Sequence, residues 1–261
     1  MDKCRASLFL FSLVILSVAA SAQNANSFGA RRAADSETPA TCSNATLTGN
    51  YGLLLAGSDN NSNLVAEVGQ ITANGKGKII SGRWTKAISG SYQSMTLSGT
   101  YSIGANCAGQ ATITPQGQPS LTLSVLVVAA GAHFDMIVTE NGYTESGYAD
   151  AQGDAVCSDA GISGNWAWVQ TNAFVVGVGL GAYTAQVSLK GNGSVSFNGT
   201  YSVNGSIQQT QSTGTYTIGT KCTGTINLNG NVSNFVLAGG GKEMFVMSET
   251  PSIVGWAIGE R

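Results

Sequence analysis

The chain is written twice. Cys42 is answered by Cys157 and Cys107 by Cys222, so each copy holds two cysteines at the same spacing of 65 residues. Leu47-Thr-Gly-Asn-Tyr51 aligns with Ile162-Ser-Gly-Asn-Trp166, and Gly69–Gly77 aligns with Ala185–Gly193. Gly99-Thr-Tyr-Ser-Ile-Gly-Ala-Asn-Cys-Ala-Gly109 aligns with Gly214-Thr-Tyr-Thr-Ile-Gly-Thr-Lys-Cys-Thr-Gly224. Further on, Ile137–Glu140 pairs with Val246–Glu249, and Gly147-Tyr-Ala149 with Gly255-Trp-Ala257. Chance in a glycine-rich chain gives one such match, not six in one order. The division falls at 42–152 and 153–261. Each copy is then about 110 residues, the size of an ordinary domain, and each must bury its own core.

Within a copy the apolar residues recur every second position. Met95, Leu97, Tyr101 and Ile103 share one parity, and Tyr216 and Ile218 keep it in the second copy. Leu47, Tyr51 and Leu53 map onto Ile162, Trp166 and Trp168. A period of two puts alternate side chains on one face of a strand. Breaks such as Asn74-Gly75-Lys76-Gly77, Ser89-Gly90 and Asn141-Gly142 read as hairpin turns. The first copy divides into about eight strands, at 47–56, 64–73, 78–88, 92–103, 109–114, 120–130, 133–139 and 143–150. No stretch has a helical period. The expected fold class is all-β: two tandem antiparallel up-and-down β-barrels of about eight strands each. A pair of β-sandwiches satisfies the same periodicity.

The first 22 residues read as a secretory signal. Lys3 and Arg5 precede an apolar run at 8–20, and Ala20-Ser21-Ala22 supplies the small residues before a cut. The run is too short for a spanning helix, which needs about 20 residues. Residues 23–41 are polar and aperiodic, as expected of a flexible leader. Leu121–Ala132 is apolar but short and β-branched, so it reads as a buried strand, leaving no transmembrane helix after cleavage. Four cysteines then remain, an even number in a chain bound for an oxidising compartment. Since each copy must have folded alone at first, the expected pairs are Cys42–Cys107 and Cys157–Cys222. No close Cys or His pairs suggest zinc. The net charge of −2 excludes the basic surplus of a nucleic-acid binder. With 43% hydrophobic residues, the chain is also no disordered acidic or basic tail.

Gly164-Asn165-Trp166 and Gly49-Asn50-Tyr51 resemble the Gly-x-Trp that opens the first strand in the calycin group, the lipocalin-like and avidin-like barrels. The lead-in Gly161-Ile-Ser-Gly-Asn-Trp166 resembles the avidin-like branch most. The resemblance implies closed barrels with a lumen. It also implies an arginine from a late strand beside that Trp. Arg261 fits this role in the second copy, whereas the first has no Arg after Arg83. The Trp-Lys motif of avidin-like biotin sites is absent, so biotin is not implied. The repeated Gly-Thr-Tyr-x-Ile-Gly-x-x-Cys-x-Gly is similar to uncharacterised secreted bacterial repeat proteins.

Catalytic constellations are sparse. His133 is the one histidine, with Asp135 nearby, and the second copy aligns Lys242 there. Glu140 and Glu249 form a repeated acidic position, and Glu145 lies near the first of them. Both readings favour structural roles at strand ends. Asp150, Asp154 and Asp159 lack the spacing of a calcium loop. Gly177-Val-Gly179-Leu-Gly181 is followed by a strand pattern and reads as a hairpin, not a phosphate loop. Gln70 and Gln186 recur off the apolar parity. The aromatics Tyr51, Trp84 and Tyr101 of the first copy, and Trp166, Trp168, Tyr216 and Trp256 of the second, are the expected lining of a lumen, or its filling. The expectation is a secreted, non-enzymatic protein without cofactor or metal, holding a small apolar ligand in its barrels. The alternative is an extracellular interaction module with filled barrels that acts through its surface.

Overall fold

The computed structural model describes residues 41–175, 179–251 and 253–261. The signal segment, all but the last residue of the leader, and Gly177 of the glycine run lie outside them.

Eight strands form the first barrel: β1 (Thr48–Asp59), β2 (Leu64–Asn74), β3 (Lys78–Ile88), β4 (Ser91–Ile103), β5 (Ala108–Pro115), β6 (Leu121–Val128), β7 (His133–Val138) and β8 (Tyr143–Ala151). Each pairs antiparallel with its sequence neighbour, and β1 also pairs with β8, so the sheet closes. This closure decides for barrels over sandwiches. The second barrel repeats the plan with β9 (Gly164–Val175), β10 (Gly179–Leu189), β11 (Ser194–Val203), β12 (Ser206–Ile218), β13 (Thr223–Leu228), β14 (Asn231–Ala238) and β15 (Glu243–Ser248). Its last strand is split into β16 (Ile253–Val254) and β17 (Trp256–Glu260), both laid on β9, which also pairs with β10. Gly179 pairs with Val175 across the residues that lie outside the described set.

Inward parity builds two separate cores. The first contains Tyr51, Leu53, Leu55, Ile71, Trp84, Met95, Leu97, Tyr101, Phe134 and Met136. The second contains Trp166, Trp168, Val187, Tyr216, Phe235, Met244 and Val246. One end of each barrel is stoppered. In the first, a 3-10 turn at Asn44–Thr46 lies across the opening, tied down by the Cys42–Cys107 disulfide. Tyr101 donates its hydroxyl to Leu47 O at 2.7 Å, and Tyr51 donates to Gly131 O at 2.9 Å. In the second, Cys157–Cys222 closes the same end, and Tyr216 donates to Asp159 O at 2.8 Å. Two disulfides fit an oxidising extracellular or periplasmic setting. Among the described residues, no helix is long and apolar enough to cross a membrane.

Volume is redistributed between the copies. Equivalent strand registers superpose Leu53 on Trp168 and Trp84 on Gly199. In the first barrel Trp84 faces Gly69, where a Cβ would stand 2.4 Å from Trp84 Cβ. In the second, Trp168 faces Gly259, where a Cβ would stand 2.5 Å from the indole Nε1. The tryptophan has moved two strands, and the glycine that makes room has moved with it.

The registers also correct part of the internal alignment. Leu123 pairs with Val138 and Val125 with Met136, whereas Phe235 pairs with Val246. Val125 is the counterpart of Phe235, so Met136, not Ile137, matches Val246. Likewise Gly147, opposite Leu55, corresponds to Ala257, opposite Gln170. The sequence match was slipped by one residue on β7 and by two on β8. A one-residue slip exchanges the two faces of a strand: Ile137 is exposed, while Val246 is in the core.

A third apolar layer joins the barrels. Leu54, Ala66, Val68 and Ala87 on the outside of β1–β3 meet Val236, Ala238, Phe245, Met247 and Ile258 on the outside of β14, β15 and β17. Gln152, in the linker, donates to Leu237 O at 3.0 Å and so fixes the crossing.

Candidate functional site

The end of barrel 1 opposite its disulfide holds ionisable groups inside the lumen. Glu67 on β2 and Lys86 on β3 are register partners, and Glu145 on β8 stands opposite Gly57. All three occupy inward positions near strand ends. Lys86 Nζ lies 2.8 Å from Glu67 Oε1 and 4.0 Å from Glu145 Oε1. Both carboxylate side chains are 0% exposed, while that of Lys86 is 19% exposed and reaches toward the mouth. Its ammonium also sits over the Tyr143 ring, 5.2 Å from the centroid. Apart from Lys86, no described donor reaches either carboxylate. Trp84, one inward position deeper on β3, has a buried Nε1 with no acceptor. Buried polar atoms without partners are uncommon and ask for an explanation.

The electrostatics follow from one cation facing two buried acids. Burial first, and then the charge of Glu67, pushes the Glu145 carboxyl up from 4.5 to about 7, with Lys86 only partly offsetting them. Complete burial also raises Glu67, although its ion pair with Lys86 pulls the other way. Burial works against the charge on Lys86, but Glu67 outweighs it and the ammonium is held charged. The pair of acids therefore keeps one proton near neutrality. Lys86 lies nearer Glu67, which favours the charged form there and the protonated form on Glu145. A carboxyl titrating there is able to give or take a proton at physiological pH.

The sequence candidates distribute differently. Tyr51, Trp84 and Tyr101 come together in the first core, and Trp166, Trp168 and Tyr216 in the second. Trp256 joins neither: it lies outside barrel 2, against the layer between the barrels. Tyr51, Tyr101, Trp166 and Tyr216 spend their polar atoms on backbone carbonyls at the stoppered ends. The Trp–Arg pairing expected of the second copy is present. The Arg261 guanidinium stacks 4.9 Å from the Trp166 ring and donates to Gly161 O, Ser163 O and Gly241 O. Cys42, Cys107, Cys157 and Cys222 pair as expected.

Glu140 and Glu249 are not equivalent, because Thr139 and Glu249 make the matching backbone bonds to Thr122 and Val232. Glu249 instead enters a cleft of about 420 Å³ between the barrels, with Arg83, Thr85, Ser94 and Asn234. There Asn234 Nδ2 donates to Thr85 Oγ1 at 2.8 Å and to Glu249. His133 faces outward between two acids: Nδ1 lies 2.9 Å from Asp150 and Nε2 lies 3.3 Å from Asp135. Burial disfavours its charge, but the two carboxylates prevail and raise its pKa. Its counterpart is Glu243, not Lys242, since the partner of His133 is Asp150 and that of Glu243 is Glu260. Asp150 is thus committed to His133. Gln70 and Gln186 both point outward. Gln70 donates to Asn50, whereas Gln186 lies in an exposed polar face.

Sequence reasoning passed over Glu67 and Lys86 and weighed Glu145 only against Glu140. The signal was there. Each is a lone ionisable residue on inward parity, between Val65 and Gly69, after Trp84, and between Tyr143 and Gly147.

No family model and no curated protein matches the chain. Among solved structures, kievitone hydratase from Nectria haematococca aligns over 86% of this chain and 98% of its own, at 7% identity and a TM-score of 0.30. A Nitrosomonas europaea protein named as an AttH candidate aligns over 82% and 92%, at 7% identity and a TM-score of 0.28. The expectation that the chain is not an enzyme is not upheld, since the first of these is an enzyme. At that similarity nothing about its reaction transfers.

Proposed function

We propose that the chain is a secreted protein of two calycin-like barrels, and that barrel 1 takes one small ligand at the Glu67–Lys86–Glu145 end. The observation that carries this reading is the set of buried polar atoms there without a hydrogen-bond partner: the oxygens of Glu145 and the Nε1 of Trp84. The expected ligand therefore has an apolar body for the aromatic wall and a polar head for these groups. Pockets commonly combine an apolar lining with a few convergent polar atoms. Barrel 2 supports the same reading by contrast. Its register equivalents of Glu67 and Lys86 are Tyr183 and Tyr201, paired with each other. The signal-like first segment and the two disulfides support export. The test is native mass spectrometry of mature protein recovered from an oxidising compartment. Bound mass that is lost on denaturation, and lost in Glu145→Gln, supports the reading. A bare native mass through a panel of small ligands overturns it.

A second reading has its own observation. On the outside of β10–β12, Thr184, Thr200 and Gln209 stand in one row, and Gln186, Asn198 and Gln211 in the next. Ser188, Ser196 and Thr213 make a third. This face carries amides and hydroxyls without a charge, and it suits a neutral, hydroxyl-rich surface partner. Retention on an insoluble neutral polysaccharide, lost when Gln186, Asn198 and Gln211 are changed to Glu, is its test.

A further inference from the structure

Resting on the ligand-binding reading above, we propose that the mouth of barrel 1 is a site for a small organic monocation, an ammonium or guanidinium head on an apolar body, which pairs with the Glu145 carboxylate.

The charge balance selects the class. Lys86 pairs with Glu67, and Glu145, raised to about 7 by burial, carries a proton below that pH, so there the three groups sum to zero. An anion entering there would face two acids and a lysine already engaged at 2.8 Å. A cation meets the opposite arrangement. Glu145 releases its proton to solvent, its carboxylate accepts the hydrogen bonds of the incoming head, and the lumen is again neutral. A buried carboxylate without a partner costs far more than a paired one.

The surroundings fit the same head. Tyr143 already holds one cation over its face, the Lys86 ammonium, through its ring quadrupole. Among the described residues, four charged or titratable groups face Glu145. Glu67 comes from β2, Lys86 from β3, Tyr143 from β8 itself and Asp59 from the end of β1. Asp59 is not a competing acceptor, because its carboxylate receives Asn61 N, Asn63 N and Asn63 Nδ2 in its own turn. The indole Nε1 of Trp84 adds one donor deeper in the barrel, so a ligand with an acceptor on its body gains a further contact. Barrel 2 is the internal control, with Tyr183 and Tyr201 at the matched positions.

The experiment is isothermal titration of the full mature chain with ethylamine, benzylamine and 2-phenylethylamine, each beside its neutral alcohol. It is run at pH 6 and pH 8, in buffers that differ in ionisation enthalpy. The expected result has three parts. An amine binds in preference to its alcohol, by about tenfold or more at pH 8, the usual worth of a hydrogen bond to a charged group. Its binding at pH 6 releases close to one proton, and release vanishes at pH 8. Glu145→Gln abolishes both the preference and the release while keeping the far-ultraviolet dichroism of the parent. Alcohols that bind as well as amines, with no proton release, overturn the cation assignment and leave the ligand-binding reading standing. Binding by none of the six probes overturns the assignment. If native mass spectra are bare as well, the ligand-binding reading falls with it.

Discussion

Glu145 and His133 both make the molecule more stable in mild acid than at neutrality. Glu145 has its folded pKa raised to about 7 from 4.5. The unfolded chain therefore ionises first, and the stabilisation present below pH 4.5 is lost as pH rises through 7. A shift of that size is worth up to about 3 kcal/mol. His133 is raised as well, so its contribution is present below its unfolded value of 6.5 and fades as pH climbs through the folded one. The melting temperature should fall between pH 5 and pH 8. Glu145→Gln should remove most of the slope, and His133→Gln a smaller part at its upper end. A slope unchanged in both variants, in thermal melts across that range, contradicts the assignment. Lys86→Met should cost roughly 3 kcal/mol at pH 8, because it leaves Glu67 buried without its cation. Denaturant titration checks this, and the loss should shrink at pH 5, where the acids can protonate.

At the scale of the strands, the two barrels solve one packing problem in two ways. Trp84 with Gly69 fills the first lumen from β3, and Trp168 with Gly259 fills the second from β9. Trp168→Leu alone should cost about 3 kcal/mol, as large-to-small core changes do. Adding Gly199→Trp and Ala185→Gly copies the arrangement of barrel 1 and should recover a large part of that loss. The comparison is read from denaturation midpoints, and a triple variant weaker than the single one refutes the equivalence of the two layouts. The strand ends carry a second lesson. Arg261 closes barrel 2 by stacking on Trp166 and donating to three carbonyls. Barrel 1 has no such arginine, and relies there on the Tyr51 hydroxyl and its edge contact with Phe134. Arg261→Ala should therefore destabilise the protein by about 2 kcal/mol, with the loss in barrel 2, as hydrogen exchange of β9 and β17 would register.

At the scale of the molecule, the two barrels meet through different faces. Barrel 1 uses the outside of β1–β3, and barrel 2 the outside of β14, β15 and β17. Such a heterologous contact can in principle be repeated without closing. Barrel 2 stops it: where barrel 1 presents Val68, the equivalent residue is Thr184, within the uncharged polar rows. Units that cap repeat arrays in water carry a polar outer face of this kind. At the other end, Leu126, Val128 and Ile137 of barrel 1 occupy the positions of Val236, Ala238 and Met247, and are 48%, 39% and 51% exposed. Val68→Glu places a charge in the joining layer. It should separate the barrels while each stays folded, widening the scattering profile and splitting one thermal transition into two. A single transition with an unchanged radius of gyration would show that the layer tolerates the charge.

Much of this was legible in the residues. The duplication, the period of two and the glycine breaks set the number of strands and nearly all their limits. The equal cysteine spacing set both disulfides, and Arg261 was read as the partner of Trp166. These are properties of short range, or of one copy compared with the other, and a linear chain displays them. Closure, register and the use of each inward position are not local. Lys86 lies 19 positions from Glu67 and Glu145 lies 78 from it, so the three became one site only when β1 closed on β8. The same pairing corrected the slipped match of Ile137, Lys242 and Glu140, because a gap in a turn shifts an alignment freely while hydrogen-bonded strands cannot shift by one residue without turning their side chains over. Sequence alone fixed what each barrel is made of. Tertiary structure decided which charges it encloses, because burial, which raises Glu145, exists only once the sheet has closed around it.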